Sequence, residues 1–265
     1  MTFGKYLRIL AALCASASTA VATGVIVPLY IFPGSAPSCT AWAPLISAIS
    51  ANPSVPFYLI VNPASGPGSA DSQPDPGYQG CIPKLKASNV EIVGYVPTGS
   101  GTRAQSAVTQ DIDTYAGWTS TFRPSGIFFD EVEPTKSFLS TYTTYSQQAR
   151  QAFNGGAGFV ILNPGSAPAT TYFAIADQIV TLENFYSDFS PSDLTISASS
   201  PAEKQGIILH DSPSTLPTSL ISQLVATDGI GSLYITDDTQ ANGGNPYDSL
   251  PTDFAGFVSA VSADS

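Results

Sequence analysis

"GIFFDEVEPTKSFLSTYTTYSQQARQAFNGGAGFVILNPG" (residues 126–165) reads as strand, helix, strand. Gly126–Phe129 is an apolar run too short for a helix, and it lacks the alternation of a strand with one wet face. Phe138–Phe153 is the helical segment, and Gly158–Leu162 is a second apolar run. Two strands buried on both faces and joined by a helical crossover are the unit of a parallel sheet covered by helices.

The unit recurs in both directions from there. Further apolar runs lie at Gly24–Phe32, Phe57–Val61, Val90–Val96, Ile179–Leu182, Gly206–Leu209 and Ser232–Ile235. Helical segments fall between them at Cys39–Ser50, Gln79–Ser88, Ala104–Gly117, Thr170–Ala176 and Leu216–Val225, with Asp248–Val261 closing the chain. Pro191–Glu203 is the least periodic of the helical segments. Eight strands alternating with helices over about 240 residues predict one α/β domain, a single (β/α)8 TIM-type barrel. A doubly wound open sheet is the competitor, but no Gly-x-Gly-x-x-Gly follows the first strand. "FPGSAPS" (32–38), "NPASGPG" (62–68) and "NPGSAPA" (163–169) echo one another after three strands, and shared turn chemistry explains them as well as duplication does.

Residues 1–22 have the layout of a secretory signal peptide: Lys5 and Arg8, a mostly apolar Ile9 to Ala15, then small residues at Ala20-Val21-Ala22. The barrel is then expected over 23–265, in a protein that is secreted, extracellular or cell-wall associated. No later run approaches transmembrane length, so no membrane partner is expected after signal removal. Cys14 leaves with the signal, and Cys39 and Cys81 most simply form one disulfide in an oxidising compartment. With the single histidine, His210, two thiols make a poor ligand set, so neither metal nor cofactor is expected.

A formal charge of −11 with 11% charged residues argues against nucleic acid and anionic membranes as partners. It suits a neutral or cationic ligand, and equally the solubility of an exported monomer.

In such a barrel the chemistry sits at the C-terminal ends of the strands. Those ends carry Tyr30, Asn62, Tyr95 with Thr98, Asp130-Glu131, Asn163, Glu183-Asn184, His210-Asp211 and Asp237-Asp238. A carboxylate at the buried end of a strand is costly unless paired or hydrogen-bonded. Asp130 alone is explained as a helix cap, but the pair Asp130-Glu131 with Glu183 two strands along is not. Acids around one mouth suit glycosidic cleavage, where one protonates the leaving oxygen and another, ionised, acts as nucleophile, base or stabiliser. Tyr30, Asn62, Tyr95, Asn163, His210 and Asp237 are the expected substrate contacts. Rival chemistries lack their motifs: there is no Gly-x-Ser-x-Gly elbow, no His-Glu-x-x-His and no phosphate-binding Gly-x-x-x-x-Gly-Lys loop.

"VIVPLYIFPG", "NPASGPG", "VGYVPT", "GIFFDE", "ILNPG" and "LEN", in that order at the first six strands, resemble the spherulin-4 family. That family includes secreted fungal glycoside hydrolases of family 135. The resemblance implies a barrel that cleaves α-1,4-linked N-acetylgalactosamine within galactosaminogalactan, an exopolysaccharide of fungal walls and biofilms. It also implies catalytic roles for an Asp-Glu pair after the fourth strand and a Glu after the sixth, which here are Asp130, Glu131 and Glu183. Glu131 is then expected as general acid and Glu183 as nucleophile or base, with Asp130 orienting Glu131 or steadying the acetamido group. Adjacent strand residues face opposite ways, so Asp130 and Glu131 both face inward only if the strand has already turned. Two other readings stay open: a non-catalytic glycan-binding wall or spore-coat protein, and a hydrolase of deacetylated galactosamine polymer.

Overall fold

The computed structural model describes residues 22–153 and 155–265; the expected signal segment, apart from Ala22, lies outside them. The apolar runs form eight parallel strands: β1 (Gly24–Leu29), β2 (Phe57–Val61), β3 (Val90–Pro97), β4 (Gly126–Asp130), β5 (Phe159–Leu162), β6 (Gln178–Phe185), β7 (Gln205–His210) and β8 (Ser232–Ile235). Each pairs with the next, and β8 returns to β1 through Ser232–Gly24 and Leu233–Val25, which closes the barrel. Most strand residues are buried because helices cover the outer face and side chains fill the interior.

The helices are α1 (Ala43–Ala51), α2 (Pro76–Cys81), α3 (Gln105–Ala116), α4 (Leu139–Ala152), α5 (Thr218–Ser222) and α6 (Phe254–Asp264). Gly94 shows how closely they pack. A Cβ there would come within 2.7 Å of the Tyr115 ring, so the missing side chain lets α3 lie on β3. Tyr115 then donates its hydroxyl to the Val61 carbonyl at 3.0 Å.

The return between β5 and β6 and that between β6 and β7 depart from the expected helices. Thr170–Ala176 is a single 3-10 segment, Thr170–Ala174. Pro191–Glu203 is not a helix: only Pro191–Asp193 and Ala202–Lys204 turn helically, and Ser197 pairs with Ser200 in an isolated bridge. Serine hydroxyls explain this. Ser190, Ser197 and Ser200 bond to nearby backbone, which offers the chain an alternative to helix. Likewise α6 starts later than expected, where Asp253 caps it by accepting from Gly256 N at 3.0 Å.

One irregularity matters for the site. Val180 pairs with Gly206 but Leu182 pairs with Ile207, so Thr181 is an extra residue in β6. Beyond it Glu183 pairs with Ile208, which faces the same way as Gly206. Glu183 therefore shares a face with Val180, whereas strict alternation would have put it with Ile179. Among the described residues no helix is long and apolar enough to cross a membrane.

Candidate active site

Asp130 ends β4 and Asn163 follows β5. The Asn163 side-chain oxygen accepts from Gly165 N at 2.9 Å, which fixes the amide so that its nitrogen points into the barrel mouth. That nitrogen donates to Asp130 Oδ1 at 2.8 Å and to Glu183 Oε2 at 2.6 Å. Two carboxylates sharing one donor atom cannot have these oxygens further apart than the two bonds laid end to end, about 5.4 Å.

Each acid has a tyrosine of its own. Tyr247 donates to Glu183 Oε1 at 2.5 Å, and Tyr95 bonds to Asp130. The Tyr30 ring stands edge-on to both, 5.4 Å from Tyr95 and 5.7 Å from Tyr247. Burial pushes all three phenols up, aided by the carboxylates, so they stay neutral donors. Asp130 is pushed up to about 6, by burial first and then by the charge of Glu183. Among the described residues the ion pairs are Arg103–Asp111, Arg150–Asp177 and His210–Asp211, and none involves Asp130 or Glu183.

Glu131 does not join this cluster. The chain turns at it into the left-handed region, φ +54°, directly after Asp130. Its carboxylate lies on the rim and accepts from Gly99 N at 2.9 Å, close enough for its charge to reach Tyr95. Thr98 secures the turn by donating to the carbonyls of Asp130 and Glu131, both at 2.8 Å.

The other expected contacts divide. Tyr30, Tyr95 and Asn163 stand in the cluster. His210 is beside it, its ring 4.5 Å from Phe185 and 6.4 Å from Tyr247, with Nδ1 2.7 Å from Asp211. Asn62 instead accepts from Gly66 N at 2.9 Å, within its own turn. Asp237 accepts from Thr252 N at 2.9 Å. It works with Asp211, which accepts from Gln240 N and Thr239 Oγ1, and with Asp238, which accepts from Ser249 Oγ. These three acids build the loop after β8, and that loop delivers Tyr247. The Gln240 and Thr239 bonds, ahead of the one from His210, hold the Asp211 carboxyl down at about 2.

Cys39 and Cys81 are joined as a disulfide, tying the β1–α1 loop to α2 across a separation of 42 residues. Among the described residues no three His, Cys, Asp or Glu side chains are grouped to hold a metal ion. Tyr247 is the residue that reading strand ends did not find: "NPYDS" sits in a loop, away from any apolar run.

The profile of the spherulation-specific family 4 matches residues 24–261. Spherulin-4 of Physarum polycephalum is 34% identical over 249 residues, covering 90% of this chain and 70% of its own length. The crystal structure of Aspergillus clavatus Sph3 in complex with GalNAc superposes with a TM-score of 0.78 at 29% identity, covering 91% of this chain and 98% of Sph3.

Proposed function

Because this chain belongs to the spherulation-specific family 4, we propose that it is a glycoside hydrolase that cuts inside an amino-sugar polymer, at α-1,4-linked N-acetylgalactosamine of the galactosaminogalactan type. The observation that carries the reading is Asp130 and Glu183 meeting on the Asn163 amide with no ion pair to either acid among the described residues. GalNAc bound to the similar Sph3 supports the sugar class.

The reaction needs one protonated and one ionised carboxyl group. Burial, and then the charge of Glu183, push the Asp130 carboxyl up to about 6, which favours Asp130 as the protonated member. Glu183 accepts from two neutral donors, Asn163 and Tyr247. A spacing of at most about 5.4 Å between the facing oxygens agrees with the ~5–5.5 Å of retaining enzymes and leaves no room for the water that inversion places between its acids. Asp130 protonates the departing glycosidic oxygen while the Glu183 carboxylate bonds to the anomeric carbon from the other face; water, giving its proton to Asp130, then displaces Glu183 and releases the sugar with net retention. Glu131 is a rim residue on this reading, holding the Gly99 loop against the mouth. We take the protein to act as a monomer, exported by the segment 1–22.

Release of new reducing ends from galactosaminogalactan by the wild type, absent in Glu183→Gln and in Asp130→Asn, is the expected result. Tight binding without any release of ends would make the protein a glycan-binding wall or coat component instead.

A further inference from the structure

Exposed large apolar side chains are few among the described residues: Phe32, Phe185 and Ile196, with Phe32 the most open at 54%. Phe32 lies in the β1–α1 loop, on the mouth face of the barrel, two residues beyond Tyr30 of the carboxylate cluster. That interval spans at most about 7 Å of backbone.

The ring is open on one side and immobilised on the other. A Cβ on Gly77 would come within 2.9 Å of it, so the glycine is what lets the ring lie against α2. Tyr78 meets it edge-on at 5.7 Å, and Trp42 meets Tyr78 at 5.8 Å. Trp42 also donates to the Ile31 carbonyl at 3.0 Å, which pins the backbone just before Phe32. The Cys39–Cys81 disulfide closes the same corner. An apolar ring left free in water normally folds back onto the protein or marks a contact. Here the surroundings hold it out.

Beside the ring lies an open cavity of about 350 Å³ lined by Phe32, Pro63, Pro67, Ser72, Asp75 and Tyr78. Asp75 uses Oδ1 to cap α2 by accepting from Gly77 N at 2.7 Å, and its other oxygen has no protein donor among the described residues. A flat apolar face with a carboxylate oxygen at its edge matches a sugar ring, whose C–H face stacks while its hydroxyl or amino group donates.

We propose that Phe32, backed by Gly77 and Tyr78, is the platform of a distal subsite that grips the polymer one or two sugars from the bond being cut, on the β1–β2 side of the mouth. This rests on the hydrolase reading above and deepens it. Phe32 follows Tyr30 of the cluster by two residues in the same loop, and the occupant of the subsite is the same chain that lies across Asp130 and Glu183. A grip at a distance favours long substrates and cutting within the chain.

The test compares wild type, Phe32→Ala, Phe32→Leu and Phe32→Trp on galactosamine-containing oligosaccharides of graded length and on the polymer. Phe32→Ala should raise KM about tenfold on long oligosaccharides with kcat and the shortest cleaved oligosaccharide unaffected, the pattern of lost binding shared by ground and transition states. Phe32→Leu keeps the apolar cover but not the flat face and should behave like Phe32→Ala, whereas Phe32→Trp should restore KM. Binding of the long oligosaccharide to Glu183→Gln, with and without Phe32→Ala, should show the same loss by calorimetry. A KM that does not depend on Phe32 at any length, or that rises equally at all lengths, overturns the subsite while leaving the hydrolase reading intact. A wild type that neither cleaves nor binds these polymers overturns both.

Discussion

The two ends of the barrel use carboxylates in opposite ways. At the floor, Asp177 precedes β6 and faces the Arg150 guanidinium at 2.9 and 3.2 Å, while accepting from Val160 N at 2.8 Å. Glu91 near the start of β3 takes the Ser125 hydroxyl at 2.5 Å. At the mouth, Asp130 and Glu183 face one another and are given amide and phenol donors only. The floor acids fasten one element to the next. Asp130 costs stability, because burial and the charge of Glu183 act on it with no ion-pair partner among the described residues. The residue type is the same at both ends, so it is the partners that separate the acids proposed to act on substrate from those that fasten the fold.

That contrast breaks most sharply on substitution. Glu183→Gln or Asp130→Asn should lower polymer cleavage by roughly 10²–10⁴-fold with the fold intact. Asp177→Asn should leave the turnover number alone and lower the melting temperature, in keeping with an ion pair worth up to about 1 kcal/mol plus a lost backbone acceptor. Reducing-end assays and thermal unfolding on the same preparations separate the two, and the reverse pattern would undo the distinction.

The next effect is on stability against pH. The Asp130 carboxyl is raised from 3.8 to about 6 in the folded chain, so folding takes up a proton between those values. Below pH ~4 both states are protonated and nothing is lost; as pH rises through 6 the folded state must ionise a buried group, at a cost on the order of 2–3 kcal/mol. Asp130→Asn should therefore be more stable than wild type at pH 7 and show little advantage at pH 4. Equal denaturation midpoints at both pH values would mean that Asp130 is not held up.

Tyr247→Phe removes only the donor to Glu183. A fall of about tenfold in kcat is expected with KM little changed, as for loss of a donor that holds Glu183 in position. An unchanged kcat would reduce Tyr247 to packing. Glu131→Gln should have the smallest effect, a change of no more than a few-fold in kcat/KM, on the order of 1 kcal/mol. A loss as large as that of Glu183→Gln would return Glu131 to the catalytic centre.

Much of this architecture was legible because buried parallel strands leave unbroken apolar runs. Phe57–Val61 and Ser232–Ile235 match their strands end to end, and Asp130, Asn163 and Glu183 were found simply by looking where such runs stop. What stayed hidden depends on backbone direction. Whether Asp130 or Glu131 faces inward is decided by a left-handed turn at Glu131 that a run of letters does not announce. The extra residue Thr181 sets the face of Glu183, and alternation alone would have turned that acid to the helix side. Asn62 and Asp237 look identical to site residues in sequence, yet their side chains are taken up by Gly66 and Thr252. Tyr247 arrives from a loop whose course is set by Asp211, Asp237 and Asp238, through hydrogen bonds to Thr239, Gln240, Thr252 and Ser249 that strand patterns do not announce.

On the hydrolase reading, the Asn163 amide also bears on the handedness of the product. Its oxygen is tethered to Gly165 and its nitrogen touches both acids, so it works as a gauge block that sets the gap between them. A smaller side chain at this position, as in Asn163→Ser, removes the donor that both acids share, and their repulsion should then widen the gap towards the ~6.5–9.5 Å at which a water between them attacks with inversion. The anomer first released, followed by proton NMR, would then report the width of a gap that one side chain maintains.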